Sequence, residues 1–167
     1  SPVSMAYAFS SCGFEVDNIE EEFKGQFLCV EAHPGKTVTT LTAEQTKKVK
    51  QLAEVVKGFK TKFDQKIDFW KNKLETFKTE GKRVVTWGAG SKGVTFFNFL
   101  KMQNPIEYIV DINPRKQRKY VPGTGQKIVS PEFLEEYKPD IVIVMNPIYQ
   151  EEIKKMLANM GLQNCVL

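Results

Sequence analysis

The stretch Val84-Val-Thr-Trp-Gly88-Ala-Gly90-Ser-Lys-Gly93 decides how this sequence is read. Three apolar residues, Val84, Val85 and Trp87, run into a glycine-rich turn. Val94, Phe96, Phe97, Phe99 and Leu100 then follow as an amphipathic segment. That is strand, tight turn, helix. The spacing matches G-x-G-x-x-G, in which Gly88 permits the turn, Gly90 lets a ligand approach the backbone, and Gly93 packs helix against strand. Exposed N–H groups and the positive dipole at such a helix start form an anion site, with Ser91 beside it and a charge added by Lys92. Glycines also close strand-to-helix turns that bind nothing, so both readings of the loop stand.

Working downstream, strand and helix signals alternate from about Gly81 to Leu167. Ile106–Val110 ends in Asp111, and Ile128-Val129 precedes Ser130-Pro131-Glu132, a helix start with serine as cap and proline in the first turn. Asp140–Met145 is a buried strand by its β-branched run, followed by Asn146. A helix from Tyr149 to Met160 stops at Gly161, and Cys165–Leu167 reads as a final strand. The expected fold is α/β, a Rossmann-like parallel sheet of about five strands flanked by helices. Ligands of such sheets lie at the carboxyl ends of the strands, where Gly88–Gly93, Asp111–Asn113 and Asn146 would face one crevice.

Asp111 lies 18 residues after Gly93 and ends the second strand, where an acid accepts the hydroxyls of a nucleotide ribose. The same residue in Asp-Ile-Asn-Pro suits an Asx turn, and both roles stay open. Arg115–Lys119 and Pro122–Gly125 form a basic, turn-rich connection. It is either a mobile surface segment or an anion-binding flap in which Lys116 and Thr124 donate to phosphate. No Ser/His/Asp, Cys/His or paired-carboxylate set is visible, so no catalytic residue is assigned.

Upstream, Thr42-Ala-Glu-Gln45 reads as a capping box opening a long helix to about Lys78. Val49, Leu52, Val56, Phe59, Phe63, Ile67, Trp70, Leu74 and Phe77 recur along it at spacings of three and four. The stripe suits a coiled-coil homodimer or a strut packed along its own domains. Before it, Ser4–Ser11 reads as a helix closed by Gly13, and Phe14–Asp17 and Gln26–Ala32 as strands. These pieces cannot bury a core of their own. Three parts result: residues 1–40, a helix over 41–81, and an α/β domain over 82–167.

Composition fits an ordinary soluble domain, with 41% hydrophobic and 26% charged residues among 167. No apolar run reaches the length of a membrane span and no signal peptide is visible, so the expectation is cytoplasmic and without a membrane partner. The net charge of +4 could suggest nucleic acid. The lysines, however, are interleaved with acids along the long helix, so a solvated helix face is expected instead. Cys12, Cys29 and Cys165 form no C-x-x-C pair and His33 stands alone, which predicts free thiols and no metal.

Several motifs taken together carry a resemblance. Gly88-Ala-Gly-Ser-Lys-Gly93, Asp111-x-Asn113-Pro114-x-Lys116-Gln117, Tyr120-x-Pro122-Gly-Thr124, Ser130-Pro131-Glu132 and Pro139-Asp140 with Asn146 resemble the C-terminal domain of the S-adenosylmethionine-dependent sugar C-methyltransferases. Ser1–Ser4, Cys12–Val16 and Gly25–Leu28 resemble the closing helix and strands of the preceding class I methyltransferase domain. The resemblance implies a three-part enzyme with a zinc-binding N-terminal domain, a methyl-donor domain and a Rossmann-like C-terminal domain helping to hold a nucleotide-linked deoxysugar. It implies that the zinc cysteines, the S-adenosylmethionine site and the residues acting on the sugar lie outside this chain. By the same carry-over Gly88, Gly90, Ser91, Lys92 and Gly93 are candidates for lining the nucleotide-sugar cleft, with Thr124 and Asn146 nearby; together with Asp111, Asn113 and Lys116 they make up the candidate substrate-binding residues. An NAD(P)-binding module and a purely assembling domain are the other readings. S-adenosylmethionine binding here is disfavoured by Trp87, which stands where that motif carries an acid.

Overall fold

The computed structural model describes residues 1–36, 42–101, 106–163 and 165. The chain divides into two compact units, Ser1–Lys62 and Phe63–Leu167.

In the first unit, helix α1 (Pro2–Ser11) starts from a serine cap, with the Ser4 N–H donating to Ser1 Oγ at 3.3 Å. Gly13, at φ +87°, turns the chain into strand β1 (Phe14–Glu22). Strand β2 (Phe27–Pro34) returns antiparallel, in register from Phe14 opposite Pro34 to Glu22 opposite Phe27. The hairpin is longer than the two strand signals. Phe23, Lys24 and Gly25 all adopt positive φ, so a tight turn carries the ladder to its tip. Across the strands His33 Nδ1 meets Asp17 Oδ2 at 2.9 Å. No described residue of this unit is buried.

Helix α2 (Ala43–Thr79) opens on the expected capping box. The Gln45 N–H donates to Thr42 Oγ1 at 3.1 Å and the Thr42 N–H to Gln45 Oε1 at 2.9 Å. The division between units falls inside this helix. Of its apolar stripe, Val49, Leu52, Val56 and Phe59 are exposed. From Phe63 onward the stripe is used within the second unit.

The second unit holds β3 (Val84–Trp87), α3 (Ser91–Leu100), β4 (Tyr108–Val110), β5 (Lys127–Val129), α4 (Phe133–Tyr137), β6 (Ile141–Val144) and α5 (Gln150–Asn159). A 3-10 turn, Pro147–Tyr149, joins β6 to α5. The described strands form a four-stranded parallel sheet in the order β5-β4-β3-β6. The strand expected at Cys165–Leu167 falls largely outside the described residues, and Cys165 itself donates its thiol hydrogen to the Pro139 carbonyl.

Successive side chains alternate between two faces, as strand geometry requires. Val84, Ile109, Ile128, Ile141 and Ile143 pack with Leu74, Phe97 and Leu100 from α2 and α3. Val85, Trp87, Val110, Val129 and Val142 pack with Leu134, Ile153 and Leu157 from α4 and α5. Edge-to-face aromatic pairs, Phe63 with Phe99 and Trp70 with Phe96, seat α2 on α3.

The second half of the basic connection after β4 doubles back along β5: the Arg118 N–H donates to the Ile128 carbonyl, the Ile128 N–H to Lys119, and the Val121 N–H to Gln126, at 2.8–2.9 Å. The outer edge of β5 is thereby covered. Helix α4 begins at Phe133, because Ser130 and Pro131 first close a turn that accepts the Phe133 and Leu134 N–H groups. Among the described residues no helix is long and apolar enough to cross a membrane.

Candidate functional site

From β3 the chain builds outward through β4 to β5, then returns to place β6 on the other side of β3. The helices after β3 and β6 pack on opposite faces of the sheet, and in such sheets a crevice for ligands is expected where the chain parts at the carboxyl ends of those strands. Each glycine of the loop after β3 has its own geometry. Gly88 lies at φ +115° and donates its N–H to the Val110 carbonyl at 2.8 Å. At Gly93 a Cβ would stand 2.2 Å from the Gly88 carbonyl oxygen and 3.0 Å from Ile109 Cδ1, so only glycine lets α3 sit this close to the sheet. Among the described residues a Cβ on Gly90 would meet nothing within 4 Å and no side chain caps α3, so the backbone faces open space at the start of that helix. Across the crevice the Lys92 ammonium donates to Asn146 Oδ1 at 3.1 Å, joining the glycine loop to the end of β6.

On the other side of β3, Asp111 is 7% exposed. Its Oδ2 accepts the Ala89 N–H at 2.9 Å and the Lys116 ammonium at 3.0 Å, while Oδ1 accepts the Asn113 N–H at 2.9 Å. The last contact is an Asx turn. Asn113 repeats the device on the Arg115 N–H, and the Gln117 side chain donates to the Asp111 carbonyl. The acid thus ties the glycine loop to the turn that follows β4.

Gly88, Gly90, Ser91, Lys92, Gly93, Asp111, Asn113, Lys116 and Asn146 accordingly gather at the carboxyl end of the sheet. Thr124 does not join them. Because residues 118–121 run back along β5, the Pro122–Gly125 turn lies at the amino-terminal end of that strand, where the Thr124 hydroxyl donates to Gln126 Oε1. Asn98, near the far end of α3, holds this turn by donating to the Pro122 carbonyl at 3.0 Å. Sequence reading missed Asn98, Gln117 and the Ala89 N–H. Only the Gly123 signal pointed toward Asn98, since a Cβ there would strike its side chain.

A cavity of about 610 Å³ opens at the amino-terminal ends of β3 and β6, away from the glycine loop. Its Arg83 and Asp140 are bonded to one another. Burial pushes the nearby Tyr137 phenol and Cys165 thiol above their usual pKa values. Among the described residues no group of three or more His, Cys, Asp or Glu is placed to hold a metal ion.

No curated protein matches the chain. Among solved structures it is similar to UDP-D-quinovosamine 4-dehydrogenase from Vibrio fischeri, at 22% identity over 47% of this chain and 71% of that one, with a TM-score of 0.37. It is also similar to RSP in complex with beta-NAD+ and operator DNA, at 23% identity over 48% of this chain and 40% of that one, with a TM-score of 0.35. The family described as the C-methyltransferase C-terminal domain matches residues 28–165, which take in nearly all of β2, the long helix and the whole four-stranded sheet, and the chain belongs to that family.

Proposed function

We propose that this chain is the substrate-holding and scaffolding part of an S-adenosylmethionine-dependent C-methyltransferase, and that its crevice receives the diphosphate of a nucleotide-linked deoxysugar. One observation carries the reading: Lys92 spans to Asn146 beside the open space over Gly90, at the uncapped start of α3. Backbone N–H groups, a helix dipole and an ammonium then converge where an anion would lie. Residues 1–40 form the tail of the methyltransferase domain, 41–81 the linking helix and 82–167 the sugar-nucleotide domain. The methyl-donor site belongs to the preceding domain. The residues here do not suit S-adenosylmethionine, because buried Trp87 precedes the glycines and Asp111 is already bonded. Within this chain the residues orient and hold; none transfers the methyl group.

Calorimetric titration with a thymidine-diphosphate sugar tests the reading. Lys92→Ala is expected to weaken binding roughly tenfold, the worth of one charge-assisted hydrogen bond. Unchanged affinity in that variant would leave the loop as a turn only. A second reading, assembly with another copy, is favoured by the exposure of Val55, Val56 and Phe59 on α2. Sedimentation equilibrium separates it, since the mass of a monomer at every concentration would dismiss it.

A further inference from the structure

We infer that Lys116 is a specificity lock, closing this crevice to adenosine dinucleotides and other ligands that are gripped by a ribose diol. A ribose held at the end of the second strand of such a unit donates its hydroxyls to one carboxylate. An ionised carboxylate offers about four acceptor positions, two on each oxygen. Here both positions on Asp111 Oδ2 are filled, by the Ala89 N–H and Lys116 Nζ, and one on Oδ1 is filled by the Asn113 N–H. A single position remains on a side chain that is 9% exposed, so a diol cannot span the two oxygens. Two of the three donors are backbone groups set by the fold. Lys116 is the removable one: its side chain is 39% exposed and reaches the acid from the turn after β4. Without it Oδ2 regains a position at the glycine loop, where it accepts the Ala89 N–H. The inference concerns what the crevice refuses and does not require the sugar-nucleotide reading.

ADP-ribose, which carries both a diphosphate and an adenosine diol, is the probe, titrated calorimetrically into the full chain and into Lys116→Met. The unaltered chain is expected to give no measurable binding. K116M is expected to bind at least roughly tenfold more tightly than the detection limit, the scale of one hydrogen bond to a charged group. The gain should vanish in the double variant K116M/D111N and with 2′-deoxy-ADP-ribose. Binding of ADP-ribose to the unaltered chain as tight as to K116M overturns the lock, and so does the absence of any gain in K116M. If K116M does not melt cooperatively, Lys116→Leu, which likewise brings no donor, replaces it and is read in the same way. A failed titration with the thymidine-diphosphate sugar leaves every one of these outcomes readable.

Discussion

Gly90 and Gly93 stand three residues apart on one loop, yet a methyl group added to each meets opposite surroundings. At Gly93 the obstacle is backbone, the Gly88 carbonyl oxygen at 2.2 Å, which cannot rotate away. Gly93→Ala should therefore destabilise the chain by about 3 kcal/mol, the upper range for overpacking, in a urea melt. Gly90→Ala should fall within about 0.5 kcal/mol of the parent by the same measurement, because nothing lies within 4 Å. A large loss for G90A would mean that the loop is closed in solution. Thr86 poses a different problem, since its hydroxyl is fully buried on β3 with no hydrogen-bond partner among the described residues. Thr86→Val keeps the shape and removes the stranded hydroxyl, so a gain of about 1 kcal/mol is expected. A loss of stability would show that the hydroxyl is satisfied.

No described residue of the first unit is buried, so local devices carry more of the stability of the β1–β2 hairpin and of the first turns of helix α2. Two orphan N–H groups of α2 depend on the Thr42–Gln45 exchange. Thr42→Ala should cost about 1 kcal/mol and fray the first turns, seen as faster amide exchange at Gln45 and Thr46. Unaltered exchange there would count against the cap. In the hairpin, the hydrogen bond to Asp17, its charge and then that of Glu15 raise the His33 pKa above its ordinary 6.5. The folded state thus binds the proton more tightly than the unfolded chain. The contribution is complete below the unfolded value and disappears as pH rises through the higher folded value. Protection of the β1–β2 amides should accordingly decline as pH rises from about 6 to about 8, after correction for intrinsic exchange, and His33→Gln should flatten that trend. An identical decline in H33Q would assign the effect elsewhere.

Across the whole molecule, burial is distributed unevenly. Every buried residue among the described ones lies in Phe63–Leu167, and none in Ser1–Lys62. The slowest amides should therefore be those of β3 and β6, with the hairpin exchanging by local opening far below the global stability. Hairpin amides as slow as those of β3 would show a cooperative link between the units. Leu74 is the buried residue of α2, at 1% exposure, and packs into the cluster beneath α3. Leu74→Ala should destabilise the second unit by about 3 kcal/mol while leaving hairpin exchange unchanged.

Local chemistry made much of this legible in the sequence. The Val84–Gly93 strand and turn, the β-branched run at Ile141–Val144 and the Thr42 capping box each depend on residues within a few positions of one another. Each was read from them. The gathering of the glycine loop, Asp111 and Asn146 at one end of the sheet followed from alternating strands and helices, since parallel strands must share a carboxyl end. Strand order, by contrast, is decided by packing between residues distant along the chain. That order places the crevice between β3 and β6 and lets Lys92 reach Asn146. The fate of Thr124 was equally hidden, because residues 118–121 double back only when β5 is present to accept their hydrogen bonds. Asp111 shows the division most sharply. Its position and acidity were visible in the sequence, but its three donors come from two different loops. Only the folded sheet, by bringing those loops together, decided whether its carboxylate was left open or already filled.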